Sequence, residues 1–519
     1  MVNNGNESNG ESGNDPSADD GRSSPSADEG DSSRRTFLKA TGGAAVGAAV
    51  AGCLSLGGGD GGGSSGDGGS GGDGGSGGGS GGSGSDSGGS DNGSGASGGT
   101  GSSDNGSGGG GNGTDGGSGN ASGGGSGGSA DIEGPITIGA LAPNPENDPI
   151  GGSIVNGAEL AVAELNENGG IGGAEVELAV GNTEEDPSTG QQRYRELVLN
   201  QEADLTTGVF TSEVLLNIMD DIAQQQTVHI TAGAASTEVS AMIAENYEQF
   251  KYHFRAGPLN DLDLGRNMID FGKANFEAMG WDSTYAMVED YTWTEPISEL
   301  FNESLGEVGV EVGGNQRYAS GTTNFGPLFD DVESADVSGM FTAMAHTGTE
   351  AVVQWAKQQR PFGFAGIHVP MQLPSYYESV NGACLYGVTQ TSATPQSEVT
   401  EKTQPFVEAY NEEYDSYPVY TGYIAYDAIK LYAAMVEQTG TTDADELVSA
   451  MEEASFTGTT GNLQFYGRDE DHPHDPIYSE DAIYPVFLQW QEGEDGGGVQ
   501  EVIWPEQYKT ADYQPPAWI

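Results

Sequence analysis

The chain has 519 residues, with 79 Asp+Glu against 17 Lys+Arg and a formal net charge of −62. So negative a surface repels phosphate and offers few cations to release counterions, which excludes nucleic-acid binding. The 87 glycines point to a Gly-rich tract that dilutes the average, and two cysteines exclude a disulfide framework or a Cys-rich metal site.

Residues 1–33 are polar and acidic, with no apolar period. Ser33-Arg34-Arg35-Thr36-Phe37-Leu38-Lys39 then leads into a weakly apolar stretch that closes on Val50-Ala51-Gly52-Cys53. This resembles a twin-arginine signal followed by a lipobox. The paired arginines are the address, and the small Ala51 and Gly52 open the bond before Cys53 to a peptidase. The resemblance implies a signal segment over residues 1–52. It also implies a lipid on Cys53 that holds the exported protein to the extracellular face of the cell membrane. The apolar stretch is too short to span a bilayer. Residues 53–130 read as a Gly/Ser/Asp tether that cannot bury a core, with a reach on the order of 50 Å. In it Asn92, Asn105, Asn112 and Asn120 each open an N-x-[ST] acceptor pattern, which such a composition also produces by chance.

The folded part begins near Pro135. Ile136–Leu141 reads as a strand and residues 151–165 as a helix closed by Asn166-Glu167-Asn168-Gly169-Gly170. Val176, Leu178 and Val180 alternate as a second strand, followed by a helix over 191–200. A strand over 205–210, a helix over 214–225 and a strand over 228–231 complete a βαβα series. A second series runs through strand 285–288, helix 296–306, Val310 and Val312, strand 337–341, helix 350–359 and strand 364–369. Helices return over 404–414, 421–437 and 444–454, and the end of the chain is strand-like and aromatic. The expected fold class is α/β: two doubly wound parallel-sheet lobes facing each other across a cleft.

Several segments carry a family resemblance. They are Asn156-Gly157-Ala158-Glu159-Leu160-Ala161, Gly169-Gly170-Ile171-Gly172-Gly173, Gly208-Val209-Phe210-Thr211-Ser212, Ala232-Gly233-Ala234-Ala235-Ser236, Phe254-Arg255-Ala256-Gly257, Glu289-Asp290-Tyr291-Thr292-Trp293 and Ala425-Tyr426-Asp427. In this order they resemble the leucine/isoleucine/valine-binding proteins, the extracellular receptors of ABC importers. The resemblance implies a type I periplasmic-binding fold with a three-segment hinge near Gly257, Gly387 and Phe456. Lobe 1 would comprise residues 131–257 and 387–456, and lobe 2 residues 258–386 and 457–519.

Ligands of such folds sit at the carboxyl ends of parallel strands. The resemblance carries a ligand-carboxylate role to Ser212, with Thr211 beside it at a helix start. It carries backbone and hydroxyl contacts to Ala234, Ala235 and Ser236, and an aromatic cover from the second lobe to Trp293 or Tyr291. The family places an ammonium-pairing Glu after the strand matching 363–369. Here His368 stands in a segment without a carboxylate. Glu289, Asp290 or Glu350 would then take an ammonium, or the ligand has none and amides, urea and small carboxylates stay open.

Catalysis has no motif behind it, and no cofactor is implied. Cys384 reads as a buried inert thiol in an apolar strand. His229 reads as a strand residue satisfied by a neighbour. His472 and His474 read as part of an acidic hairpin loop rather than a metal site. The expected function is a substrate-binding lipoprotein of an ABC importer for a branched-chain-type amino acid or related small solute, with ABC permease subunits as partners. A ligand-sensing receptor with a separate transducer and an amide or urea receptor are the alternatives.

The acid bias also resembles that of proteins from salt-loving archaea. At molar salt the Debye length falls to about 3 Å and the self-repulsion is screened. The expected outcome is a melting temperature that falls as salt is lowered from molar to millimolar. A melting temperature independent of salt contradicts it.

Overall fold

The computed structural model describes residues 132–494 and 496–519. The signal segment, Cys53 and the tether with its Asn-x-Ser/Thr sites lie outside the described residues.

The first series starts with β1 (Ile136–Ala142) and α1 (Pro149–Glu167). Asp148 caps α1 by accepting from Ile150 N at 2.7 Å, and Pro149 takes the first turn, where a missing N–H costs nothing. Next come β2 (Val176–Asn182), α2 (Pro187–Asn200), β3 (Leu205–Gly208), α3 (Ser212–Gln225) and β4 (Val228–Thr231). α4 (Glu238–Glu245), the single turn α5 (Tyr247–Phe250) and β5 (His253–Arg255) close the unit. The sheet order is β2-β1-β3-β4-β5, every neighbour parallel. The order reverses between β1 and β3, which opens a crevice at their carboxyl ends.

The second series repeats the device. α6 (Asp261–Met279), β6 (Ser283–Glu289), α7 (Glu295–Ser304), β7 (Glu311–Tyr318), α8 (Gly326–Ser334), β8 (Gly339–Met344), α9 (Thr349–Gln358) and β9 (Gly363–His368) follow in order. Their sheet is β7-β6-β8-β9, also parallel, with its switch point between β6 and β8. The short turns α10 (Val369–Gln372) and α11 (Tyr376–Ser379) lead to β10 (Val388–Thr391), which packs beside β9.

The chain then returns to the first lobe as α12 (Thr403–Tyr414), α13 (Tyr420–Thr439) and α14 (Ala444–Glu452). After β11 (Phe456–Thr457) and β12 (Asn462–Leu463) it crosses back to β13 (Val486–Glu492) and β14 (Gly498–Trp504), antiparallel partners of β10. Gly387 therefore lies just before β10. The passage from the second lobe to α12 falls after Thr391. Cys384 is fully buried, but it sits in a run of turns and not in a strand.

The lobe 1 core is built from Ile138, Ala140, Leu205 and Ile230 of the sheet against Ile154, Ala158, Leu215 and Ile218 of the helices, all buried. A second cluster gathers Met287, Phe329, Met340, Trp355, Phe364 and Trp490 in lobe 2. α13 is buried almost all round, and it is docked on α1 by backbone contact. A Cβ on Gly157 would stand 2.3 Å from Gly422 O, and a Cβ on Gly422 would stand 2.3 Å from Ser153 Oγ. Ser153 Oγ in turn accepts from Val419 N at 3.1 Å, and Thr421 Oγ1 donates to Ile150 O at 3.1 Å. The glycine inside Asn156-Gly157-Ala158 is thus a helix-contact residue.

Overpacking at such a contact costs about 1–3 kcal/mol. Gly157→Ala should lower unfolding free energy by that amount in denaturant titrations at molar salt. Gly306→Ala, which meets nothing within 4 Å, should change it by less than about 0.5 kcal/mol. Equal effects from the two variants contradict the contact.

Candidate functional site

The carboxyl ends of β3, β4, β6, β8 and β9 converge on one cavity between the lobes. Phe210, Ser212, Ala235 and Tyr420 line it from lobe 1; Trp293, His346, Val369 and Gln372 line it from lobe 2. Its volume is ≈ 40 Å³, room for about three waters at ~10–15 Å³ each. The lobes meet around it. Thr292 N donates to Glu213 Oε1 at 3.3 Å, and the Phe210 and His346 rings stand 5.1 Å apart. Filling the cavity with a solute of several heavy atoms needs more room than this arrangement of the lobes leaves.

The lobe 1 wall depends on an early end to β3. The strand stops at Gly208, φ +103°, whose missing Cβ would stand 2.1 Å from Leu141 O. Val209 follows at φ 64°, a costly conformation for a β-branched residue, on the order of 1–3 kcal/mol. It is held by Val209 N donating to Leu141 O at 2.8 Å and Ala234 N donating to Val209 O at 3.0 Å. The turn lifts Phe210 to the cavity and starts α3 at Ser212. The expected strand over 205–210 is shorter for this reason.

Ser212 Oγ accepts from Ser236 N at 3.2 Å. Thr211 is buried at the cap of α3 without a side-chain cap bond. Ala235 lines the cavity, whereas Ala234 and Ser236 turn to the scaffold. Ser236 Oγ accepts from Glu238 N at 3.2 Å. The fully buried Arg255 donates to Ala234 O through Nη1 and to Ser236 O through Nη2, the latter at 2.9 Å. Its Nε donates to Asp475 Oδ1 at 2.8 Å, and Asp475 Oδ2 accepts from Asn260 Nδ2 at 3.0 Å. Residues 469–475 are therefore not simply a solvated acidic loop. Asp475 and His474 expose nothing, and His474 stacks on Phe254 at 4.0 Å. Among the described residues no group of three or more His, Cys, Asp or Glu side chains is placed to hold a metal.

In lobe 2, Glu289 ends β6 with none of its surface exposed. It accepts from Trp293 Nε1 at 3.0 Å, His346 Nδ1 at 2.9 Å, Thr347 N at 3.1 Å and Thr347 Oγ1 at 3.0 Å. Burial works to raise its pKa, but the hydrogen bonds it accepts, from His346 first and then from the backbone and Trp293, outweigh it and hold the carboxyl below its usual range. Its lone pairs are already engaged. Tyr291 stacks on His346 at 4.1 Å. Asp290 pairs with Arg317 at 2.8 Å, and Glu350, on the first turn of α9, is not among the residues lining the cavity.

His368 does not reach the cavity either. Its Nδ1 accepts from Met371 N at 3.1 Å, its Nε2 meets Gly348 O at 2.9 Å, and burial pushes its pKa down to about 4. It is a neutral cap for α10. His229 lies 2.9 Å from Thr206 Oγ1, while its Nε2 has no partner among the described residues, and burial pushes it down to about 3. Burial raises the Cys384 thiol to about 12, which keeps it unreactive.

Sequence reasoning missed His346, Gln372 and Tyr420. His346 sits after β8, and the rule that ligands gather at carboxyl ends of strands beside a switch point would have found it. Tyr420 comes from the first turn of α13, and its hydroxyl donates to Gly233 O at 3.3 Å.

The model for the family described as periplasmic binding protein matches residues 135–479. A search among curated proteins finds no match. An ABC transporter substrate-binding protein from Sphaerobacter thermophilus is similar, with a TM-score of 0.58 at 20% identity, covering 73% of this chain and 98% of that one. The branched-chain amino acid transporter substrate-binding protein from Streptococcus pneumoniae, solved with isoleucine, gives 0.59 at 17%, covering 71% and 99%. An ABC transporter solute-binding protein from Rhodopseudomonas palustris, solved with 3,4-dihydroxybenzoic acid, gives 0.59 at 18%, covering 73% and 98%. At these identities the likeness establishes the fold.

Removing one partner of a buried pair costs about 3–5 kcal/mol, because the other charge is left uncompensated. Arg255→Met should lower unfolding free energy by that amount, and Arg255→Met with Asp475→Leu should recover part of it. A single variant as stable as the parent contradicts the role given to this pair.

Proposed function

The chain belongs to the periplasmic binding protein family, and we propose that it captures a small solute between its lobes for an ABC importer. The observation that carries this reading is the cavity itself. It sits at the carboxyl ends of both sheets, at the switch point of lobe 2 and beside that of lobe 1, and it is closed by contacts that cross from one lobe to the other. The solute is a branched-chain-type amino acid or a related small carboxylate or amide. Ser212 and the first N–H groups of α3 hold its carboxylate or carbonyl. Trp293 covers it from lobe 2. Thr211, Ala235 and Tyr291 shape the rim, and Ala234 and Ser236 act through the backbone that Arg255 fixes.

The same reading places the protein outside the cell, reached by the twin-arginine route and held by lipid on Cys53. Docking on a permease then needs no catalytic group. Sensing through a separate transducer is the alternative, since the same closure can signal as well as deliver.

Losing a hydroxyl bond to a charged group costs about 1.5–3 kcal/mol, roughly tenfold or more in affinity. Calorimetric titration in molar salt with leucine, isoleucine, valine, urea and short amides should find a ligand that Ser212→Ala binds at least about tenfold more weakly, with little loss of stability. If Ser212→Ala and Trp293→Ala both bind that ligand as tightly as the parent, the site lies elsewhere.

A further inference from the structure

Two buried polar atoms on the lobe 2 wall have no hydrogen-bond partner among the described residues. The first is His346. Its side chain is only 7% exposed. Its Nδ1 faces Glu289 Oε1 at 2.9 Å. The other groups at that carboxylate are donors, namely Trp293 Nε1, His346 N, Thr347 N and Thr347 Oγ1. An ionised carboxylate only accepts, so Nδ1 carries a proton, and in the neutral ring Nε2 presents a lone pair. Nε2 is buried and unpaired, and the ring is held between Tyr291 and Phe210.

The second is Gln372, which is 6% exposed. Its Nε2 donates to Gln390 O at 2.7 Å, which fixes the amide orientation. Its Oε1 is then an acceptor, also buried and unpaired. Both side chains line the same cavity, and among the described residues no Asp, Glu, Lys or Arg does. The opposite wall offers donors. Ser212 stands at the start of α3, and its Oγ accepts from Ser236 N, which leaves the hydroxyl proton to give.

We propose that His346, with Gln372, reads a hydrogen-bond donor on the ligand. The solute has a carboxylate or carbonyl facing Ser212 and an O–H or N–H facing His346, carried on or beside an apolar body. Glu289 is the positioning residue that fixes the tautomer. This inference rests on the reading of the cavity as the capture site. It adds what the family resemblance left open, the group facing the far end of the ligand.

The test pairs ligands with and without the donor, titrated against the full protein in molar salt. Leucine and 2-hydroxy-4-methylpentanoate are compared with 4-methylpentanoate, and 3,4-dihydroxybenzoate with benzoate. In at least one set the donor-bearing member should bind about tenfold tighter. That preference should shrink below about threefold in His346→Phe and persist in part in His346→Gln. Whether leucine or the hydroxy acid binds more tightly tells an ammonium from a hydroxyl. Equal binding within every set, or a preference that survives in His346→Phe, overturns the proposal. If no probe binds, the capture reading fails for these solutes, and the ring is judged alone by ¹⁵N spectra, with His346 assigned by its loss in His346→Phe. A neutral, Nδ1-protonated ring at neutral pH supports the proposal. An Nε2-protonated or doubly protonated ring overturns it.

Discussion

A carboxylate that exposes none of its surface must find its hydrogen bonds inside the protein, and Glu289 finds them in Trp293, His346 and Thr347. Those residues come from the ends of two neighbouring strands, β6 and β8, on either side of the point where the lobe 2 sheet reverses. One buried charge therefore sets the indole, the imidazole and the turn after β8 together. Desolvating an unsatisfied carboxylate costs several kcal/mol, so these donors have little freedom to leave. The rigidity of this wall is a consequence of that penalty.

Lobe 1 solves the same problem with the opposite charge. Arg255 ends β5 and is spent entirely on Asp475 and on the carbonyls of Ala234 and Ser236. This ties the loop after β4 to the end of β5. Two ends of adjacent strands are again tied by one buried ion. The cleft lies between the two tied edges, and the contacts that cross it, Glu213 to Thr292 and Phe210 to His346, are few. Strong ties at the strand ends and sparse contacts across the cleft, away from the hinge, are what a hinged capture device requires.

Much of this fold was legible in the sequence because local pattern and burial agree. β4 begins at Val228 and ends at Thr231 as the apolar run does, and α1 follows its apolar face from Ile154 to Ala161. α6 was not read, because its buried face carries Asp261, Asp263 and Asn267. These look like surface residues until their partners, Thr237 N for Asp261 and Tyr466 Oη for Asp263, are known. The site was half legible. Ser212 follows from a strand-to-helix turn. The place of His346 after a strand was legible, but its orientation was not, since it is set by Glu289, 57 residues earlier. His368, by contrast, sits at the end of a strand where a ligand group was expected, and it spends both ring nitrogens on Gly348 and Met371.

The account is tested most directly by a crystal structure of the protein purified from its natural host in high salt without added ligand, so that a tightly held solute comes with it. The prediction is density for a small molecule between the lobes, within hydrogen-bond distance of Ser212 and His346, with Glu289 still bonded to Trp293 and His346. Density for a solute elsewhere, such as the outer groove lined by Glu146, Asp148 and Tyr417, with the Ser212 cavity holding only water, contradicts it.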